Sequence, residues 1–171
     1  RTTFTHDGVG NLLSIEDARG YTSQANYDDI DRITKLIDPK GKFNEFVYDA
    51  IGKPTSSKDP LGNITTFAYD NLNRLTTVTD PQGRIDSFQY NKEGFIKKQT
   101  NPKGYNYILD YNAIYQITKM TDPLNNQGTF LYHPSGLLKK TTNALGQNTT
   151  YEYDKNGRST KVIDNDGNCL L

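Results

Sequence analysis

Tyrosine recurs at positions 27, 48, 69, 90, 111, 132 and 153, a fixed interval of 21 residues that no insertion or deletion disturbs. A strict period of this size marks a repeat architecture, in which one small unit is stacked on copies of itself. Most recurring residues then serve the unit and not one localised chemistry. Extended backwards, the register places His6 at the first anchor. The 171 residues hold eight periods with three residues over, so the chain reads as a single array over 1–171 with no separate catalytic domain.

Other positions recur with the anchor. After it come Asp7, Asp28, Asp49, Asp70, Asn91, Asn112, His133 and Asp154. Two places before it stand Phe4, Ala25, Phe46, Phe67, Phe88, Leu109, Phe130 and Tyr151, and six places after it a mostly aliphatic residue such as Leu12, Ile33, Leu75 or Ile96. An Asp or Asn follows at eleven places, and three residues later a glycine: Gly20, Gly41, Gly62, Gly83, Gly104, Gly146 and Gly167, with Asn125 in the sixth period.

Each period reads as two short strands and two turns. In residues 64–69 (ITTFAY) β-branched and aromatic side chains alternate, which puts Phe67 and Tyr69 on one face. Residues 70–73 (DNLN) form a turn of short polar side chains that bond their own backbone. Residues 74–79 (RLTTVT) form the second strand. Asp80, Pro81 and Gly83 then place a turn former, a fixed φ and a flexible residue where a β-turn needs them. Proline at these places excludes helix continuity, so the fold class is all-β, a twisted antiparallel sheet of hairpins. One pair resists plain alternation. Leu75 and Val78 are three apart and would face opposite ways on a flat strand. Either both faces carry apolar side chains, or a bulge or strong twist intervenes.

Composition narrows the function. The 20 basic residues balance 20 acidic ones, which gives no electrostatic reason to expect nucleic acid or an anionic membrane. There is no apolar run long enough for a membrane span and no signal peptide at Arg1. Hydrophobic residues make up only 33%, but Tyr and Phe supply large contact areas from few residues, which suits a thin wall better than a thick core. The first period starts in mid-strand and the last stops without a cap, so the array is expected to be continued by further repeats or completed by neighbours.

The motifs Gly62–Leu75 (GNITTFAYDNLNRL) and Gly146–Arg158 (GQNTTYEYDKNGR) resemble the YD repeat of the Rhs family, and the resemblance runs the whole length of the chain. Asp31, Asn73 and Tyr115 depart from it in place of a glycine, and His133 in place of Asp. In that family, which includes polymorphic toxins, insecticidal toxin complexes, wall-associated proteins and teneurins, such repeats form a long sheet that spirals into a hollow shell. The resemblance implies a secreted or cell-surface protein, most often of the bacterial toxin type. Its partners would be further repeats of the same longer chain and an enclosed toxin or effector domain. Nothing here matches the family's self-cleaving end region, so the resemblance implies no catalytic residue, no cofactor and no metal ligand. At about 4.8 Å per strand, sixteen strands make a strip on the order of 75 Å long, an arc of wall.

Other features have plainer readings. The Tyr-Asp pairs could form a glycan-binding ladder, but strict register favours packing by Tyr and turn closure by Asp. Asp28/Arg32, Asp49/Lys53, Asp70/Arg74 and Asp154/Arg158 read as ion pairs across a turn. Lys35, Lys98, Lys119, Lys140 and Lys161 make a basic line that contacts an acidic partner or simply stays solvated. Residues 164–168 (DNDGN) resemble the start of a calcium loop but lack its downstream Glu and lie in register with the turns. His6 and His133 replace different repeat residues and suggest neither a metal pair nor a triad. The sequons at Asn63 and Asn148 matter only along a eukaryotic secretory route. The expected function is a β wall that encloses or presents another domain; an adhesive or carbohydrate-binding surface and a self-assembling fibre are the alternatives.

Overall fold

The computed structural model describes all of residues 1–171. It contains sixteen strands, no helix, and a sheet order that is the order of the chain. The chain divides into two compact units, residues 1–86 and 87–171.

The first unit holds β1 (Thr3–His6), β2 (Leu12–Glu16), β3 (Thr22–Tyr27), β4 (Ile33–Ile37), β5 (Phe43–Tyr48), β6 (Pro54–Lys58), β7 (Ile64–Tyr69) and β8 (Leu75–Thr79). Each pairs antiparallel with the next. The boundary falls within β9 (Ile85–Tyr90). The second unit continues with β10 (Ile96–Thr100), β11 (Asn106–Tyr111), β12 (Ile117–Thr121), β13 (Gln127–Tyr132), β14 (Leu138–Thr142), β15 (Asn148–Tyr153) and β16 (Ser159–Ile163), paired in the same way.

All the connections share one geometry. In the turn after β7, Asn73 N–H donates to Asp70 C=O (2.9 Å) and Asp70 N–H to Arg74 C=O (2.9 Å). Asn73 adopts φ 65°. This is a type I turn closed by a left-handed residue, a common three-residue hairpin loop. The turn after β8 repeats it, with Gly83 N–H donating to Asp80 C=O at 2.9 Å and φ 77° at Gly83. The two turns of the 21-residue unit are thus equivalent in geometry, although only the second carries the Asp-Pro-x-Gly form.

A β-bulge accounts for the spacing of Leu75 and Val78. Ala68 lies opposite Thr77 and Tyr69 opposite Leu75, which leaves Thr76 as an extra residue on β8. The extra residue turns the strand by one place, so Leu75, Val78, Phe67 and Tyr69 share a face. The Thr76 hydroxyl donates to Ala68 C=O at 3.1 Å. The same shift recurs beside Tyr27, Tyr48, Tyr90, Tyr111, Tyr132 and Tyr153.

No residue is fully buried. In β7, Thr65, Phe67 and Tyr69 are half-covered while Ile64, Thr66 and Ala68 are exposed. The sheet is one layer thick, and its stability rests on cross-strand pairs and repeat-to-repeat contacts.

Candidate functional site

Five of the anchor tyrosines tie their hairpin to the one before it. Tyr27 Oη donates to Leu12 C=O (3.0 Å), Tyr48 to Ile33 C=O (2.7 Å) and Tyr69 to Pro54 C=O (2.9 Å). In the second unit Tyr111 donates to Ile96 C=O and Tyr132 to Ile117 C=O, both at 2.8 Å. Each acceptor sits six places after the preceding anchor. The ring lies over half-covered neighbours, and a hydroxyl in that setting needs a partner, which the carbonyl supplies.

Beside each anchor tyrosine except Tyr132 an Asp or Asn caps its turn. Asp70 Oδ1 accepts the backbone N–H groups of Leu72 (2.9 Å) and Arg74 (3.0 Å), while Oδ2 takes the Arg74 guanidinium at 2.7 Å. The same arrangement joins Asp28 to Arg32 and Asp154 to Arg158, and in looser form Asp49 to Lys53 (3.8 Å). Asp80 and Arg84 make a further pair of this type, one turn later in the repeat. His133 has no carboxylate to offer, yet its turn closes through backbone bonds alone.

The Arg74 backbone N–H and then its side chain hold the Asp70 carboxyl below the ordinary carboxylate range; Asp154 is lowered in the same order by Arg158. For Asp49 the Lys53 backbone N–H is the leading cause. A carboxyl whose pKa is lower in the folded chain adds stability above its unfolded value, and that stability is lost as pH falls through the folded one. Acid titration followed by circular dichroism is therefore expected to show sheet loss beginning as pH drops below about 4, with little change between pH 5 and 8. Chain stability that stayed level down to pH 2 would remove the caps from the account.

A second row of side chains crosses between repeats at the place five after the anchor. Asn11 Nδ2 donates to Asp31 Oδ1 (2.6 Å), Arg32 Nη1 to Asp49 C=O (2.9 Å) and Lys53 Nζ to Asn73 Oδ1 (2.6 Å). Arg32 and Lys53 also lie over the rings of Tyr48 and Tyr69, at 4.7 and 4.4 Å. In the second unit Gln116 Nε2 donates to Gly136 C=O at 2.7 Å. At this place Phe95 makes the apolar version: its ring stacks on Tyr115 (4.9 Å, 20°) and tilts against Tyr111 (5.5 Å). Tyr115 holds φ 64°, unusual for a bulky residue, and lines a cleft of about 520 Å³ with Glu93, Lys97 and Asp110. The period alone did not reveal this row, because its residues differ from copy to copy.

The basic line alternates along the opposite face of the strands. Lys35 pairs with Glu45 (3.3 Å), which also takes Lys58 (3.3 Å), and Lys119 pairs with Asp110 (3.0 Å); Lys98, Lys140 and Lys161 form no ion pair. Asp164 Oδ1 accepts the N–H groups of Asp166 (2.9 Å) and Asn168 (2.8 Å), the pattern of the other aspartate turns. His6 belongs to the first unit and His133 to the second, and no three His, Cys, Asp or Glu residues gather as a metal site.

The class defined by this geometry is a single-layered antiparallel meander of 21-residue units, five of them tied to the preceding one by a tyrosine hydroxyl. A family model described as the RHS repeat matches residues 2–42, 48–85 and 132–168. The chain belongs to that family. Among solved structures it is similar in fold to a chain of the Tc holotoxin pore of Photorhabdus luminescens, with TM-score 0.67 and 16% identity over 95% of this chain. A crystal structure of TcdB2-TccC3 without its hypervariable C-terminal region gives TM-score 0.59 and 16% identity over 96%. The chain spans 12% and 11% of the lengths of those two chains. No curated protein sequence matches it.

Proposed function

We propose that this chain is a stretch of wall in a larger RHS-repeat shell, one that encloses or presents a toxin or effector domain of a secreted or cell-surface protein. The eight repeats act as one array, further repeats of the same longer protein are its structural partners, and it performs no catalysis itself. The observation that carries the reading is the absence of any buried residue in 171. A single layer with half-covered aromatics on one face and a mixed polar and aliphatic opposite face makes a barrier between two environments, not a globule around its own core. Membership of the RHS repeat family and the fold shared with Tc toxin chains support the same reading.

Electron cryo-microscopy of the intact parent particle, purified from its native source, tests it. A closed hollow shell with density inside is the expected result. An open strip or fibre without a lumen would sink the container reading.

A further inference from the structure

One left-handed residue stands apart from the rest. Tyr115 closes its turn at φ 64°, in the place that Gly10, Gly52, Gly94, Gly136 and Gly157 fill in other copies. The remaining non-glycine residues of positive φ are Asp31, Asn73 and Asn125, whose short polar side chains tolerate this region. A tyrosine does not. The turn has no need of one, since the bond from Tyr115 N–H to Asn112 C=O forms equally with glycine in the other copies. Strain that the turn itself does not demand points to a use for the side chain.

Its neighbour is equally out of pattern. Phe95 takes the place that Arg32, Lys53 and Arg74 hold in the first unit, and its ring stacks on Tyr115 at 4.9 Å and 20°. The pair stays open to solvent, with Phe95 38% and Tyr115 49% exposed. Tyr115 forms one wall of the cleft of about 520 Å³, a size in the range of small-ligand sites, and Glu93, Lys97 and Asp110 line it as well. The Glu93 carboxylate, the Lys97 ammonium and the Tyr115 hydroxyl make no hydrogen bond or ion pair within the chain. Lys119 answers Asp110 at 3.0 Å, and Lys97 balances Glu93, so the cleft offers donors and acceptors without net charge.

We infer that this cleft is a saccharide-binding site, with Tyr115 as its stacking platform and Glu93 and Lys97 as its polar contacts. A sugar ring has an apolar face of C–H bonds and a rim of hydroxyls. The C–H face packs on the electron-rich face of an aromatic ring. The hydroxyls donate to the Glu93 carboxylate and accept from the Lys97 ammonium, bonds strengthened by the charged partner. An ion would find no net charge to hold it, and a wholly apolar ligand would leave the polar groups without partners. The site is no ladder of Tyr-Asp pairs, because neither Tyr115 nor Glu93 recurs at its place in any other copy. It does not depend on any enclosed cargo, and a shell that failed to appear would leave it standing.

Chemical-shift mapping of the isotope-labelled 171-residue chain tests the inference. The probes are neutral disaccharides of glucose, galactose and N-acetylglucosamine, with a uronate-containing disaccharide as the charged control. At least one neutral probe is expected to shift the amides of residues 91–97 and 109–115 saturably, with a Kd of about 1 mM or below. Tyr115→Asn and Glu93→Ala should each weaken that binding about tenfold or more, the worth of one good contact. Tyr115→Asn should keep the sheet by circular dichroism, since Asn73 already serves at the same place. Glu93 is exposed and bonded to nothing, so its loss leaves the fold alone. Tyr105→Ala, at an exposed tyrosine of the turn after β10, should leave binding intact. Absence of any shift with every neutral probe overturns the proposal. So do shifts spread along the other tyrosines, tighter binding of the uronate, or full affinity in either variant of the cleft.

Discussion

Gly83→Val is expected to destabilise the first unit by about 2 kcal/mol, read as a lower urea midpoint with loss of amide-exchange protection around Asp80–Arg84. Gly83 holds φ 77°, and a Cβ built there meets nothing within 4 Å. The cost is therefore conformational and not steric crowding. An L-residue in the left-handed region pays about 1–2 kcal/mol, and a β-branched one sits at the upper end or beyond. The chain supplies its own control, since Asn73 and Asn125 adopt φ 65° and 64° at equivalent places. Gly83→Asn should accordingly stay within about 0.5 kcal/mol of the parent. If Val and Asn proved equally harmless, the left-handed closure of this turn would be wrong.

Tyr48→Ala is expected to cost more, about 3 kcal/mol, and Tyr48→Phe about 1 kcal/mol. The hydroxyl donates to Ile33 C=O at 2.7 Å, and the ring lies under the Arg32 guanidinium at 4.7 Å. Removing only the hydroxyl leaves a half-covered carbonyl without its donor. Truncating the ring removes the cation–π contact and the apolar contact area besides. In an array where each unit touches only its neighbours, damage of this kind stays local. Exchange protection should fall in β4 to β6 and hold in the second unit. Equal effects of Phe and Ala would place the whole contribution in the hydroxyl bond, and a global loss of protection would show that the repeats do not behave as nearest-neighbour units.

The two results bear on function through the same property. A wall one layer thick has no core to absorb a lost contact, so turn closure and the tyrosine ladder are the main restraints on neighbouring units.

Much of this was legible in the residues. The alternation of Phe67 and Tyr69 and the proline and glycine of the turn at Asp80 define strand and loop, because side-chain direction and allowed φ are local properties. Those same local rules left Leu75 and Val78 unresolved, since a bulge is settled by the partner strand. They also gave no reason to connect Phe95 with Tyr115, or Lys53 with Asn73.

By itself the sequence determined the 21-residue period, the all-β class and the places of the turns, because strands and turns are encoded by residues a few positions apart. The tertiary structure alone decided that Thr76 is the extra residue, that the hydroxyls of Tyr27, Tyr48, Tyr69, Tyr111 and Tyr132 reach a carbonyl fifteen residues back, and that side chains twenty residues apart bridge successive turns. Those contacts exist only once strands are paired, and pairing is a property of the assembled sheet.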